Sequence, residues 1–305
     1  MISVVVCTYN RAAVLKRMLE SFFAQTRLDL VVHELVLVDN NSSDDTRAVV
    51  AGFARFPALR CVFEPRQGLS CARNRGVAEA RGDVVAFLDD DVIVDANWLA
   101  GLRACFDATG ADVVGGRSYL IFETDPPPWL GPYFRRCLSE VDLGPKRQVR
   151  DSGHRLYGLN LAFRKAALLA AGGFEEALGR RGSGLLGGEE FAAISRILAA
   201  GGKVFYEPDA VVGHIIQSER LEWSYFERLS AGMGRSAAVL EPSAGASRRV
   251  WRVVAASAGL MREAVGALGT SLVHAEGYER RFAKSRLLRA KGLLHERYRR
   301  VLRTP

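Results

Sequence analysis

An apolar strand that runs into three consecutive carboxylates limits what this chain can be. In Asp83-Val-Val-Ala-Phe-Leu-Asp-Asp-Asp-Val-Ile-Val94 the run Val84 to Leu88 leads directly to Asp89, Asp90 and Asp91. Neighbouring ionised carboxylates repel and gain nothing from apolar surroundings, so such a strand end calls for a cation. A hard divalent ion, Mg²⁺ or Mn²⁺, with oxygen ligands is the simplest answer, and a merely solvated turn is the plain alternative. In open α/β sheets ligands gather at the carboxyl ends of the strands, where a metal usually neutralises a phosphate.

The surrounding pattern supports a sheet of that kind. Ile2–Cys7, Glu34–Val38, Leu59–Phe63 and Val84–Leu88 read as strands, with helices predicted over Ala12–Gln25, Asp44–Phe53 and Leu69–Ala80. Continuous apolar strands alternating with helices predict a parallel, doubly wound α/β sheet. The polar clusters at 8–11, 39–46, 66–68 and 89–91 then meet along one edge. Beyond residue 97 the spacing predicts a helix over Trp98–Phe106, a short strand at Val113-Val114 and an ordered loop at Pro126-Pro-Pro-Trp129. Gly158–Phe163 reads as a strand, followed by a short helix to Ala170. The glycine-rich Gly179–Gly188 reads as a mobile loop, and Glu189-Glu190 opens the next helix. Val204–Tyr206 and Ala210–Ile216 read as two strands, the second carrying His214. Helices are predicted over Glu222–Leu240, 248–275 and 277–303, with a linker at 241–247.

At 305 residues the chain is long enough for one large domain and an appendage. The five scattered cysteines form no C-x-x-C pair, which predicts reduced thiols in a cytoplasm and no zinc site. No apolar run reaches spanning length, and a strand starting at Ile2 predicts no leader. The net charge of +8 is unevenly spread: from Ser243 onward 14 Lys and Arg face 4 acids. Basic residues from Arg280 to Lys291 alternate with Phe282, Leu287 and Leu288, and Arg248, Arg249 and Arg252 flank Trp251, so 248–303 reads as a peripheral contact with an anionic membrane. A helix pair packed on protein, or on a second copy in a homodimer, satisfies the same pattern. No aromatic platform for bases accompanies the charge, so no nucleic acid is expected.

Taken together, Cys7-Thr-Tyr-Asn-Arg11, Val38-Asp-Asn-Asn-Ser-Ser-Asp44, Gly68-Leu-Ser-Cys-Ala-Arg-Asn-Arg-Gly76 and Phe87-Leu-Asp-Asp-Asp91 resemble family 2 glycosyltransferases. Gly158-Leu-Asn-Leu-Ala-Phe-Arg164, Gly172-Gly-Phe174, Gly188-Glu-Glu190 and Tyr206-Glu-Pro208 with His214 continue the likeness, which covers roughly 1–240. The resemblance implies a GT-A type fold: a nucleotide-sugar-binding half (1–115), an acceptor half (116–240) and a basic helical extension (241–305). It also implies a metal-dependent, inverting transfer from a UDP- or dTDP-sugar to a hydroxyl of a glycan or lipid-linked acceptor, in the cytoplasm or at the inner face of the membrane. Asp39 would accept from the ring N–H of the base, with Thr8 and Tyr9 beside it, and Asn10, Arg11, Asn41 and Gly68 would complete the donor cradle. Arg73 would steady base or diphosphate, and Asp89 and Asp90 would meet ribose and sugar hydroxyls. Asp91 would ligate Mn²⁺ or Mg²⁺, with Asp89 as a further candidate. His214 is either a ligand from across the cleft or a core histidine.

Glu189-Glu190 departs from the family's usual Glu-Asp. The resemblance makes Glu190 the general base, one methylene longer than usual, with Glu189 as the alternative, while both could simply be first-turn acids. Two competing readings remain. A nucleotidyltransferase would want a glycine-rich phosphate loop after the first strand, which Thr8-Tyr-Asn-Arg11 is not. A non-catalytic scaffold binding a membrane or partner would be expected to have lost Asp91 and Glu190.

Overall fold

The computed structural model describes residues 1–153, 155–182, 184–241, 246–273 and 277–302. They fall into two compact units. One comprises Met1–Ile121, Arg136–Glu176 and Glu189–Ile216, the other Phe122–Arg135, Ala177–Gly188 and Gln217–Pro305.

The first unit is built on a sheet of β1 (Ile2–Thr8), β2 (His33–Asp39), β3 (Leu59–Phe63), β4 (Val84–Asp89), β5 (Val92–Val94), β6 (Val113–Phe122), β7 (Gln148–Arg150), β8 (Asn160–Arg164) and β9 (Val204–Ile216). Between them lie α1 (Ala12–Phe23), α2 (Thr46–Ala51), α3 (Leu69–Glu79), α4 (Trp98–Thr109), α5 (Pro132–Cys137), α6 (Lys165–Ala170) and α7 (Glu189–Ala199). The sheet order is β3-β2-β1-β4-β8-β6-β9-β5, with β7 also on β9. β3, β2, β1 and β4 run parallel; β8 pairs antiparallel with β4, and β5 and β7 with β9.

Side chains alternate across a strand, and this sorts the apolar runs into two layers. Val4 and Val6 of β1, Leu35 and Leu37 of β2 and Ala86 and Leu88 of β4 face Leu15, Leu19 and Phe22 of α1 and Trp98 of α4. Val5, Val36, Val85 and Phe87 face the other way, onto Ala72 and Val77 of α3 and Ile194 and Ile197 of α7. By this parity Asp89 emerges on the α3 and α7 face, while Thr8 and Asp39 emerge on the α1 face.

The sequence pattern located the first four strands within a residue or two. It did not foresee β5, β7 or α5, all of six residues or fewer. It also divided β9 in two at Glu207-Pro208-Asp209, where the structure has one strand. Glu207 stays in the strand because its buried carboxylate is bonded by Arg147 Nε at 2.5 Å and by the Asp209 N–H at 3.2 Å. Pro208 lies between the segment paired with β7 (204–206) and that paired with β5 (212–214), so neither strand needs its missing N–H.

The second unit contains α8 (Trp223–Val239), α9 (Ala246–Val273) and α10 (Tyr278–Leu302). α8 and α10 cross in close contact. A Cβ on Gly234 would overlap the Arg289 carbonyl, and one on Gly292 the Ala231 carbonyl. The hydroxyls of Ser230 and Ser285 bond across the crossing at 2.6 Å. Trp129 packs edge-on against Phe134, Trp223 and Phe226, and Arg281 stacks over its face, so packing accounts for this tryptophan. Phe282, Leu287 and Leu288 of α10 are half-buried, whereas α9 exposes Trp251, Val254, Met261, Val265 and Leu268. Their helical spacing makes one apolar stripe. No described helix is long and apolar enough to cross a membrane.

Candidate active site

The register places the polar strand ends side by side: Thr8 lies opposite Asp39, and Cys7 opposite Asp89. Two loops are then laced together beside them. Asn10, at φ 51°, accepts the Ser43 N–H at 2.7 Å and donates its own N–H to Ser42 Oγ at 3.1 Å, while Asp44 accepts the Ala12 N–H at 2.9 Å. Asp39 is buried; one oxygen accepts the Ser42 N–H at 2.8 Å, and the other bonds nothing among the described residues. Tyr9 and Asn41 beside them are exposed.

Asn40, which the sequence reading passed over, does more than Asn41. Its amide donates to the carbonyls of Glu64 (2.9 Å) and Arg66 (2.8 Å) and accepts the Gly68 N–H at 2.9 Å. Those three bonds hold the loop before α3 and set Gly68 at φ 143°, a backbone geometry suited to glycine. Nothing in Val38-Asp-Asn-Asn-Ser distinguishes this asparagine from its neighbour except that it follows the strand directly.

Arg73 of α3 meets Asp89 and Glu189 because all three lie on one sheet face. Its guanidinium donates to Glu189 Oε1 at 2.7 Å and to Asp89 Oδ1 at 3.1 Å, and lies over the rings of Phe87 and Phe174. Gly158 leaves it room, since a Cβ there would collide with the guanidinium. Burial alone would lower the Arg73 pKa, and Glu189 and Asp89 more than reverse that. Burial and the adjacent Glu190 push the Glu189 carboxyl up against the pull of Arg73. Glu190, the next residue, is half-buried and holds Oε2 out of solvent without a hydrogen-bond partner. Asn74, next to Arg73, exchanges two bonds with the backbone of Phe174, a structural role.

On the other side, Arg11 binds Asp90 Oδ1 at 3.0 Å and Asp91 Oδ2 at 2.9 Å, and Thr8 Oγ1 donates to Asp90 Oδ2 at 2.8 Å. Burial and Asp91 raise the Asp90 pKa against the pull of Arg11. The thiol of Cys7, buried beneath these acids, is pushed up to about 12 and is no thiolate near neutrality.

β9 brings in His214, opposite Val92 in the register. Its Nδ1 is 2.8 Å from the Leu138 carbonyl, which can only accept, so the proton sits on Nδ1. Nε2 is 3.5 Å from Asp91 Oδ2, and both side chains are buried. With Nδ1 engaged, Nε2 is the ring nitrogen that faces the carboxylate, and its lone pair would be the one to share a divalent cation with Asp91. Asp89 is not part of this pair. Among the described residues no three His, Cys, Asp or Glu side chains form a metal cage. Asp91 and His214 would fit as two ligands of such an ion.

These side chains amount to a carboxylate-rich cleft edge: Asp89, Asp90, Asp91, Glu189 and Glu190 against Arg11 and Arg73. Comparison with known proteins gives this edge a context. Residues 3–167 match the profile of glycosyl transferase family 2. The glucosyl-dolichyl phosphate glucuronosyltransferase of Haloferax volcanii is 28% identical over 246 residues, covering 79% of this chain and 77% of that protein. A mannosyltransferase from Pyrobaculum calidifontis, solved with GDP-Man and Mn²⁺, superposes with a TM-score of 0.63 at 18% identity, over 97% of this chain and 86% of its own. GalNAc-T7, solved with UDP, GalNAc and Mn²⁺, gives a TM-score of 0.57 at 20% identity over 76% of this chain, which spans only 47% of that protein. Matched to the family over more than half its length and sharing the GT-A fold of these structures, the chain belongs to glycosyl transferase family 2 and is a glycosyltransferase.

Proposed function

We propose that the chain moves a sugar from a nucleoside-diphosphate sugar, with inversion, to a hydroxyl of a glycan or lipid-linked acceptor. The observation that carries this reading is the surplus of carboxylates over guanidiniums at the carboxyl ends of β1, β2 and β4. An anionic diphosphate can enter such a place only with added positive charge. Bound Mn²⁺ or Mg²⁺, held by Asp91 and His214, would supply Lewis-acid neutralisation of the departing diphosphate.

Within that reading the free oxygen of Asp39 accepts a ring N–H of the base, which uracil and thymine both present. Asp89 and Asp90 face the hydroxyls of ribose and sugar. Arg11 and Arg73 hold those acids in place and screen them. The acceptor oxygen attacks the anomeric carbon from the face opposite the leaving group. The new C–O bond forms as the bond to diphosphate breaks, and the acceptor proton passes to Glu190. Both acids hold Oε2 without a partner, and Glu190 suits this task because it pairs with no cation among the described residues, whereas Glu189 is committed to Arg73 through Oε1. A relative named for a dolichyl phosphate acceptor favours the lipid-linked alternative. The α9 stripe flanked by Arg248 and Arg262 favours work at an anionic membrane surface, on its cytoplasmic side.

Thermal melting of the full chain tests the donor site. UDP with Mn²⁺ raises the melting temperature above that with GDP, and a chelator removes most of the shift. If no nucleoside diphosphate shifts melting in the presence of metal, the donor site is wrongly assigned. Glu190→Gln keeps the UDP–Mn²⁺ shift and loses transfer by about 10²–10⁴-fold. Full activity in that variant transfers the role to another group.

A further inference from the structure

The helical unit contains a cleft of about 350 Å³ between α8, α10 and the 177–188 segment that the transfer chemistry does not use. Arg228 and Arg235 line it from α8, Lys291 and His295 from α10. Spacings of seven and four residues put each pair on one helix face, so four basic side chains converge. No carboxylate pairs with any of them among the described residues. Nearby acids are already committed: Glu227 to Lys284, Glu241 to Arg297 and Arg252, Glu263 to Arg286, and Glu296 to Arg299. Arg235 is half-buried, and its Nε is shielded from solvent without an acceptor. A buried donor without a partner is costly, which points to an acceptor supplied by a ligand.

We propose that this cleft binds the phosphate headgroup of an amphiphile. Two arginine forks and an ammonium match a phosphate, whose charge near −2 exceeds that of a single carboxylate. Leu185, Leu288 and Ala231 supply an apolar wall beside the cations, which a free inorganic anion does not need and a hydrocarbon chain does. No Phe, Tyr or Trp lines the cleft, so it lacks the broad aromatic platform on which nucleobases usually stack. The close crossing at Gly234 and Gly292 holds the two helices at fixed spacing, so the three cations and His295 are arranged before the ligand arrives. The proposal stands apart from the transfer reading, because it concerns binding in the helical unit alone.

Calorimetric titration of the full chain with n-octyl phosphate below its micelle concentration, inorganic phosphate and n-octyl glucoside tests it. Octyl phosphate binds at one site at least about tenfold more tightly than inorganic phosphate, and octyl glucoside does not bind. Arg228→Gln with Lys291→Gln, both at exposed positions, weakens octyl phosphate by about tenfold or more while leaving the melting temperature and the UDP–Mn²⁺ shift unchanged. Arg235→Gln weakens it as well. Equal affinity for octyl phosphate and inorganic phosphate would assign the cleft to a free anion, and equal affinity for octyl glucoside would reduce it to an apolar groove. Binding that persists in both sets of variants places the ligand elsewhere. Each of these three results overturns the proposal, and none of them touches the donor site.

Discussion

Glu189 and Glu190 are adjacent in the chain but are held differently. Each keeps a shielded Oε2 without a partner, yet Glu189 is buried with Oε1 on Arg73, while Glu190 is half-buried and pairs with no cation among the described residues. Both acids were visible in the sequence, but their difference was not, because Arg73 lies 116 residues from Glu189. The Asp89–Asp91 run was equally visible, while its division into an Arg73 partner, an Arg11 partner and a His214 neighbour depends on which sheet face each side chain takes. The Glu189 carboxyl, pushed up to about 7 mainly by burial, has a consequence for stability. With the folded pKa above the unfolded one, its contribution is fully present below about pH 4.3 and lost as the pH rises toward 7. Glu189→Gln therefore flattens the fall in stability between about pH 4.3 and 7, as urea melts across that range would record. An unchanged slope would show that Glu189 titrates in its ordinary range.

At the scale of elements, what was legible is what repeats. The strands and helices of the first ninety residues carry enough apolar periods to be read directly, and both layers of the core follow from their parity. β5 and β7 have three residues each and exist because β9 offers them an edge, a fact no local window contains. The helices after residue 222 were legible for the same reason as the early ones, but which of them exposes an apolar face was not. The basic pattern pointed to 248–303 as a whole, Trp251 included, and within it α10 turns its apolar side chains onto α8 and α9. The glycines of that crossing are its limiting feature. Gly292→Val forces a side chain into the Ala231 backbone and lowers stability by about 1–3 kcal/mol, which calorimetry of the full chain would detect. A melting curve matching that of the unsubstituted chain would mean that the helices separate at no cost.

At the scale of the molecule, the exposed stripe of α9 is the feature most in need of a partner, with Trp251 at 69% and Val265 at 70% exposure. The excess positive charge after residue 243 is the ground for proposing an anionic bilayer as that partner. Trp251→Glu with Val265→Glu in the full chain sharply reduces sedimentation with vesicles containing phosphatidylglycerol. Unchanged sedimentation, together with a dimer that these substitutions dissociate, would give the stripe to a second copy. A different kind of consequence follows from the pairing of β5 with β9. Asp91 leaves the ribosome long before His214, and the two are joined only by a contact of high sequence separation, the slowest kind to form. If these two residues hold the ion as proposed, metal affinity would be acquired late in synthesis, since a nascent chain would display its acids well before it could bind an ion between Asp91 and His214.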